Sequence, residues 1–394
     1  MRLIILLPVI FVFLTVAHQT HAIDEEHEAK ARKMIAKAMD YLRAQQDESG
    51  GWSVNPQGPD FPAVTGLVIN GMMMDPSVSF QDAHIKAGVA YLLSHQQEDG
   101  GIYDLVLPSY NTSIAVSALT HIDSDEARLA VSRAVEFLRG LQYSPDAITA
   151  GSAATTTQQI TRDHPFYGGV GYGRHGRPDN SNLSFWIQAL HDAGVAEDDP
   201  AFERALVFIQ RTQMHEAVND MPYARGSRQG GFIYSTSENS QTIGTGQSFA
   251  GVIEETLDDG TVISRLRAYG SMTYAGFKSY VYARLDRDDP RVLAAMDWIT
   301  SNYTLQENPG VGSSGLYYYF VTFARALDAR GQEELTIYTD EGEEPHDWAN
   351  DLIDRLAELQ NEDGSFKSVD DKWMENDPVL ITAYGLLSLE HAVR

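Results

Sequence analysis

The sequence predicts an all-α fold, an α6–α6 toroid of six helical hairpins in two concentric rings, with a small β-hairpin insertion. Three observations predict it. An apolar helical run ending in an aromatic or apolar pair recurs six times, and in the first four copies a Gln stands five residues after the aromatic. A polar, glycine-containing turn follows, and then a second helical run with few charges. A repeat of this length is one supersecondary unit that buries its apolar face only against its neighbours.

Taken in order, the copies are Tyr41-Leu42 with Gln46 and Gly50-Gly51-Trp52, then Tyr91-Leu92 with Gln96 and Gly100-Gly101-Ile102-Tyr103. Phe137-Leu138 with Gln142, Phe208-Ile209 with Gln213, and Trp298-Ile299 with Tyr303 follow. The last is Leu356 with Gln360 and Asp363-Gly364-Ser365-Phe366. The aromatics Trp52, Tyr103 and Phe366 are expected to pack back under the Gln, whose amide bonds the turn backbone.

The second helices are expected at 62–74, 111–122, 182–193, 271–285, 315–329 and 378–392. A helix with few charges on any face is a buried one, so these form the inner ring. The first helices mix charged residues such as Arg133, Glu136 and Arg355 with apolar ones and form the outer ring. Asp199-Pro200 and Asp289-Pro290 each open an outer helix, Asp as cap and Pro in the first turn. In the long segment 214–270, two strand-like runs, 251–257 and 261–269, flank Asp258-Asp259-Gly260, a hairpin signal.

Residues 1–22 read as a secretory signal: Arg2, an apolar run from Leu3 to Ala17, and Thr20-His21-Ala22 as a cleavage site. The remainder, 23–394, reads as one toroid domain that is secreted or periplasmic, with no membrane span once the signal is removed. There is no cysteine, which excludes disulfides, thiolate metal sites and a Cys nucleophile. The formal net charge of −26 argues against nucleic acid as a partner. No His spacing makes a metal site, and no cofactor or metal is expected.

In a toroid the starts of the inner helices converge on one mouth of a central cavity, with their N–H groups directed there. Candidate site residues are therefore sought at those starts. The densest cluster is the glycine-rich run 167–178 leading into Asp179, Asn180, Ser181 and Asn182. Arg174 and His175 are candidate ligand-binding groups there, with Asn180 and Asn182, and Asp179 is the candidate proton donor or acceptor. Capping of the helix accounts equally for Asp179 and the Asn residues. Tyr110, Tyr274 and Tyr317 stand at other inner-helix starts and complete the ligand-binding candidates with Trp186. The run Tyr317-Tyr318-Tyr319-Phe320 covers every face of a helix, so some of its rings face the cavity, with Trp186, Phe277 and Tyr280 as further wall candidates.

The repeat resembles the QW-type repeat of squalene–hopene and related terpene cyclases. Lys86-Ala87-Gly88 before Tyr91-Leu92-Leu93, Gln96 and Gly100 carries the resemblance, as do Tyr41-Leu42, Gln46, Gly50 and Trp52, and more loosely residues 360–366. Protein prenyltransferase β subunits share that toroid, and exported bacterial prenyltransferase/squalene-oxidase-repeat proteins are the nearest class. The resemblance implies a cavity for an isoprenoid or other apolar ligand. It does not bring the family's chemistry with it. The cyclase acid motif Asp-x-Asp-Asp-Thr is matched only by Asp286-Arg287-Asp288-Asp289, which precedes Pro290 as Asp198-Asp199 precedes Pro200, in the position of a helix cap. The prenyltransferase zinc site begins in a segment like Asp179-Asn180-Ser181, but its Cys is missing, and Tyr384-Gly385-Leu386 lacks its His. A polysaccharide-acting toroid enzyme and a non-catalytic binding or scaffold protein stay open as alternatives.

Overall fold

The computed structural model describes residues 23–54, 61–145, 160–173, 176–331, 334–339 and 342–394. The expected signal segment, Arg174 and His175 lie outside the described residues. The chain runs α1 (Glu25–Gln45), α2 (Pro62–Met74), α3 (Ala83–Ser94), α4 (Pro108–Leu119), α5 (Asp125–Arg139), α6 (Asn180–Asp192) and α7 (Pro200–Thr212). After the hairpin β1 (Val252–Thr256) and β2 (Val262–Leu266) come α8 (Gly270–Tyr282), α9 (Pro290–Ser301) and α10 (Leu316–Arg330). A second hairpin, β3 (Glu334–Thr339) and β4 (Gly342–Asp347), leads to α11 (Trp348–Leu359) and α12 (Pro378–Ala392). Among the described residues no helix is long and apolar enough to cross a membrane.

The even-numbered helices form the inner ring. Each packs on the next, α2 on α4 and so on to α10 on α12, and α12 packs on α2, which closes it. The odd-numbered helices lie outside, α1 against both α11 and α12. Burial follows composition: every residue of α12 from Val379 to Ala392 is buried, whereas α11 buries one stripe, including Leu352, Ile353, Leu356 and Leu359. The fold is an α/α toroid, as expected.

The bounds of α2 and α12 coincide with expectation. Helix α4 starts earlier, because Pro108 supplies its first turn after the left-handed Leu107 (φ 52°). Helix α8 stops before Leu285, because Arg284 (φ 55°) is also left-handed. The hairpin β1–β2 pairs Val252 with Leu266 through Thr256 with Val262, inside the predicted runs. The hairpin β3–β4 was not expected. Its first strand buries Leu335 and Ile337 in alternation, but its second is Gly-Glu-Glu-Pro-His-Asp, which has no strand signal of its own.

The repeated Gln joins three pieces of chain. Its side-chain amide donates to the carbonyl of the turn glycine and to a carbonyl in the next outer helix. Gln46, Gln96, Gln142, Gln213 and Gln360 all do so, at 2.8–3.2 Å. Tyr303 takes this place in the fifth copy, its hydroxyl donating to Asp351 of α11 at 2.7 Å. Gln360 closes the outer ring, because its second acceptor is Met34 of α1. Gly364 lets the last turn come this close: its φ is +92°, and a Cβ there would lie 2.1 Å from the Lys37 carbonyl oxygen. The residue after the glycines packs inward as expected for Trp52 and Phe366, both buried. In the second copy that residue is Ile102, not Tyr103. The buried position directly follows the second glycine, and Tyr103, one residue on, stacks outward on Phe137 at 5.7 Å.

Candidate functional site

Each inner-helix start needs acceptors for its free N–H groups, and the loops leading into the helices supply them. Asp179 caps α6 and Asp377 caps α12. Asn308 accepts from Ser271 N–H of α8 at 2.9 Å. Glu375 reaches across to α10, where Tyr317 N–H donates to Oε2 at 3.1 Å and Tyr318 N–H to Oε1 at 2.8 Å. Between these starts opens a cavity of about 410 Å³, within the range of small-molecule sites.

Its wall is mostly aromatic and aliphatic. On the inner helices, Tyr110 and Tyr384 meet hydroxyl to hydroxyl at 3.1 Å, and Ser181 donates to the Tyr318 hydroxyl at 3.0 Å. The loop residues Tyr234, Phe249 and Trp373 form a chain of rings at the rim, with centroids 4.7 and 5.2 Å apart. Trp373 and Met374 line the cavity, and both hold left-handed backbone, φ 60° and 63°. That conformation costs L-residues roughly 1–2 kcal/mol each, and such strain gathers at binding sites.

Among the described residues, Glu375 is the only carboxyl that lines the cavity. It is fully buried, and burial pushes its carboxyl up to about 7 against the pull of the two backbone N–H groups. It is therefore substantially protonated at neutral pH. Burial likewise pushes Tyr110 up to about 12 and raises Tyr318 and Tyr384, so these hydroxyls stay neutral.

The sequence-predicted residues fall in several places. Tyr110 lines the cavity. Asp179 is fully buried beside it and not in its wall; Asn182 donates to both its oxygens, from N–H at 2.9 Å and from Nδ2 at 2.9 and 3.1 Å. Burial pushes Asp179 up to about 6, opposed by the Asn182 hydrogen bonds. Asn180 bonds Thr212 and the Ile233 carbonyl. Trp186 donates from Nε1 to the Leu138 carbonyl at 2.8 Å, tying the inner ring to the outer. Tyr274 packs against Tyr319 and Phe323, Tyr317 donates to the Lys367 carbonyl, and Tyr280 donates to the repeat residue Gln213. Of the run 317–320, Tyr318 is the member in the wall. The residues sequence reasoning missed are Glu375, Tyr384, Tyr172, Tyr234, Phe249 and Trp373. A signal existed for three of them: Tyr384 lies on a predicted inner helix, Glu375 stands three residues before the predicted helix 378–392, and Tyr172 lies in the glycine-rich run 167–178. The segment Asp286 to Asp289 lies between α8 and α9 outside the wall, and Asp289 caps α9.

No protein-family model matches the chain. Over 139 residues, 30% of this chain, it is 27% identical to the squalene–hopene cyclase of Zymomonas mobilis, and the match covers only 20% of that cyclase. Among solved structures it is similar to the GH76A α-1,6-mannanase of Salegentibacter sp. HEL1_6, with a TM-score of 0.53 and 7% identity over 93% of this chain and 98% of that one. The type II terpene cyclase MstE from Scytonema superposes with a TM-score of 0.47 and 12% identity, over 93% of this chain and 98% of that one. At such identities the structural likeness is one of fold. The chain is an α/α toroid, the architecture it shares with that mannanase.

Proposed function

We propose that the protein is exported and binds an isoprenoid, or a similarly apolar small ligand, in the cavity at the inner-helix mouth. One observation carries this reading: a wall of rings and aliphatic side chains around a single carboxyl, Glu375. Apolar surface moved from water onto such a wall gains about 25 cal/mol per Å². Aromatic faces also attract any positive charge that develops on the ligand. Glu375, protonated up to about pH 7, is the one acid in the wall able to give the ligand a proton. Asp179 then acts as a positioning residue, fixing the start of α6 and with it Ser181. The polysaccharide alternative calls for two carboxyl groups facing each other across the site, whereas one carboxyl lines it among the described residues.

Trp373 at the rim gives a direct test. Farnesol and geranylgeraniol are titrated against tryptophan emission, with mannotriose as the sugar control, and lipids extracted from the natively purified protein are identified by mass spectrometry. Saturable quenching by the isoprenoid alcohols, lost in Trp373→Phe, is the expected result. Binding of mannotriose alone, with no lipid recovered, would overturn the reading.

A further inference from the structure

Behind the cavity floor, two cations are buried inside the inner ring. Lys278 of α8 is 1% exposed and Arg325 of α10 is 3% exposed. The ammonium lies 5.9 Å and the guanidinium 6.0 Å from the centre of the Phe185 ring. Phe185 also meets Tyr110 at 5.2 Å and Tyr318 at 6.0 Å, and both of those line the cavity. One aromatic ring therefore stands between the cavity wall and the two charges.

The polar inventory around them is short. Lys278 Nζ donates one hydrogen bond, to Gln188 Oε1 of α6 at 2.8 Å. Among the described residues Arg325 has no hydrogen-bond acceptor and no ion-pair partner, and its Nε is buried and unsatisfied. A guanidinium carries five donors and does not lose its charge. Asp192, at the end of α6, is the carboxylate whose field both cations feel, yet it is held by His191 and Ser117. The other groups facing Arg325 include the neutral hydroxyls of Tyr110, Tyr282, Tyr318 and Tyr384 and the buried imidazole of His391. The carboxyl ends of α6, α8 and α10 lessen the positive potential but leave the buried Arg325 Nε donor unfilled. Burial, together with Arg325 nearby, pushes the Lys278 ammonium well down from its ordinary range, against the opposing field of Asp192. A buried, unpaired cation with open donors is rare in folded proteins, because nothing replaces the water it has lost.

We infer that Lys278 and Arg325 form a buried anion site behind Phe185, suited to a carboxylate or an anion of similar size. Two sources supply that chemistry: a free small anion, or an anionic end group on the cavity's apolar ligand. The second source rests on the function proposed above; the first does not.

The test uses the whole protein at constant ionic strength, with formate replacing the bulkier gluconate. The thermal midpoint of the wild type is expected to rise with the logarithm of formate concentration once the site begins to fill. Lys278→Met and Arg325→Met are expected to abolish the rise. Arg325→Lys, which keeps a cation, guards against misfolding and is expected to weaken formate at least tenfold. A second arm compares palmitate with hexadecanol in the Trp373 emission assay. At least a tenfold preference for the carboxylate, reduced in Arg325→Lys, assigns the site to the ligand's end group. A formate response without that preference assigns it to a free ion. If formate acts while neither amphiphile nor any isoprenoid binds, the anion site stands and the proposed function falls. No formate response and no carboxylate preference in the wild type, or responses in Arg325→Lys equal to the wild type, would overturn the inference.

Discussion

Glu375→Gln probes the carboxyl that both lines the cavity and caps α10. Glu375 titrates near 4.5 in the unfolded chain and about 7 in the folded one. Between those values the folded chain keeps the proton and the unfolded chain has lost it, so stability falls as pH rises. The difference corresponds to about 3 kcal/mol, fully present below pH 4.5 and lost once pH passes about 7. Glutamine does not titrate, so the variant lacks this slope. Its amide has one oxygen for the two N–H groups of Tyr317 and Tyr318, and one buried donor left without an acceptor costs about 1–3 kcal/mol at any pH. The expected outcome is a reversal. At pH 4.5 the variant is the less stable protein by about 1–3 kcal/mol, and at pH 8 it equals or exceeds the wild type. Urea unfolding at pH 4.5, 6 and 8 measures this, and the contributions of other titrating groups such as Asp179 and Glu390 cancel in the difference. A stability difference that does not change from pH 4.5 to pH 8 would refute the assignment of Glu375 as a buried acid with a raised pKa.

Gly364→Ala is expected to lower stability by about 2–5 kcal/mol, from left-handed strain and overpacking against α1; an unchanged midpoint in urea would mean that the last turn does not bear on Lys37. His391 Nδ1 donates to Asp328 at 2.6 Å, and burial pushes its imidazole down to about 4. The neutral ring contributes stability that is full above pH 6.5 and lost as pH falls through 4, so His391→Gln is expected to flatten the acid limb of a thermal-midpoint against pH curve. Trp373 is 52% exposed, so Trp373→Gly should leave stability unchanged or raise it by up to about 1 kcal/mol as the left-handed strain is relieved. The same change should weaken binding of geranylgeraniol at least tenfold by equilibrium dialysis, and full retention of binding would remove Trp373 from the site.

Much of the fold was legible because it repeats. Gln at a fixed distance from an aromatic, followed by glycine, is visible in a single sequence, and the structure gives it one job in five copies, fastening a turn to the next outer helix. The inner helices were legible from their lack of charge, and α2 and α12 needed no correction. The hairpin β3–β4 was not legible, since only one of its strands alternates and the other is acidic and contains Pro345. At the site, the location was legible and the membership was not. Asp179 before Asn180 reads as a cap and as an acid alike, and only the geometry shows both its oxygens held by Asn182. Tyr317, Tyr318 and Tyr319 are interchangeable in sequence. A rotation of about 100° per residue decides that one of them faces the cavity, and that angle depends on where Gly315 lets α10 begin.

The division between the legible and the illegible parts has a physical origin. The clips act at the joint between one repeat and the next outer helix, so they meet the same backbone geometry each time and are solved with the same residues. The inner-helix starts meet the central cavity and are capped in several ways: by Asp179 and Asp377 from the residue just before their helices, by Asn308 from a turn, and by Glu375 from a loop two strands and a helix further on. These loops make part of the cavity wall, so that part of the chain escapes the repeat. Glu375 shows the consequence most sharply. Its carboxyl holds the start of α10 while lining the cavity, so any change there also bears on the helix that carries Tyr318 and Arg325. The shape of the cavity wall, the position of Phe185 between cavity and buried cations, and stability in the neutral pH range are therefore coupled through a single side chain.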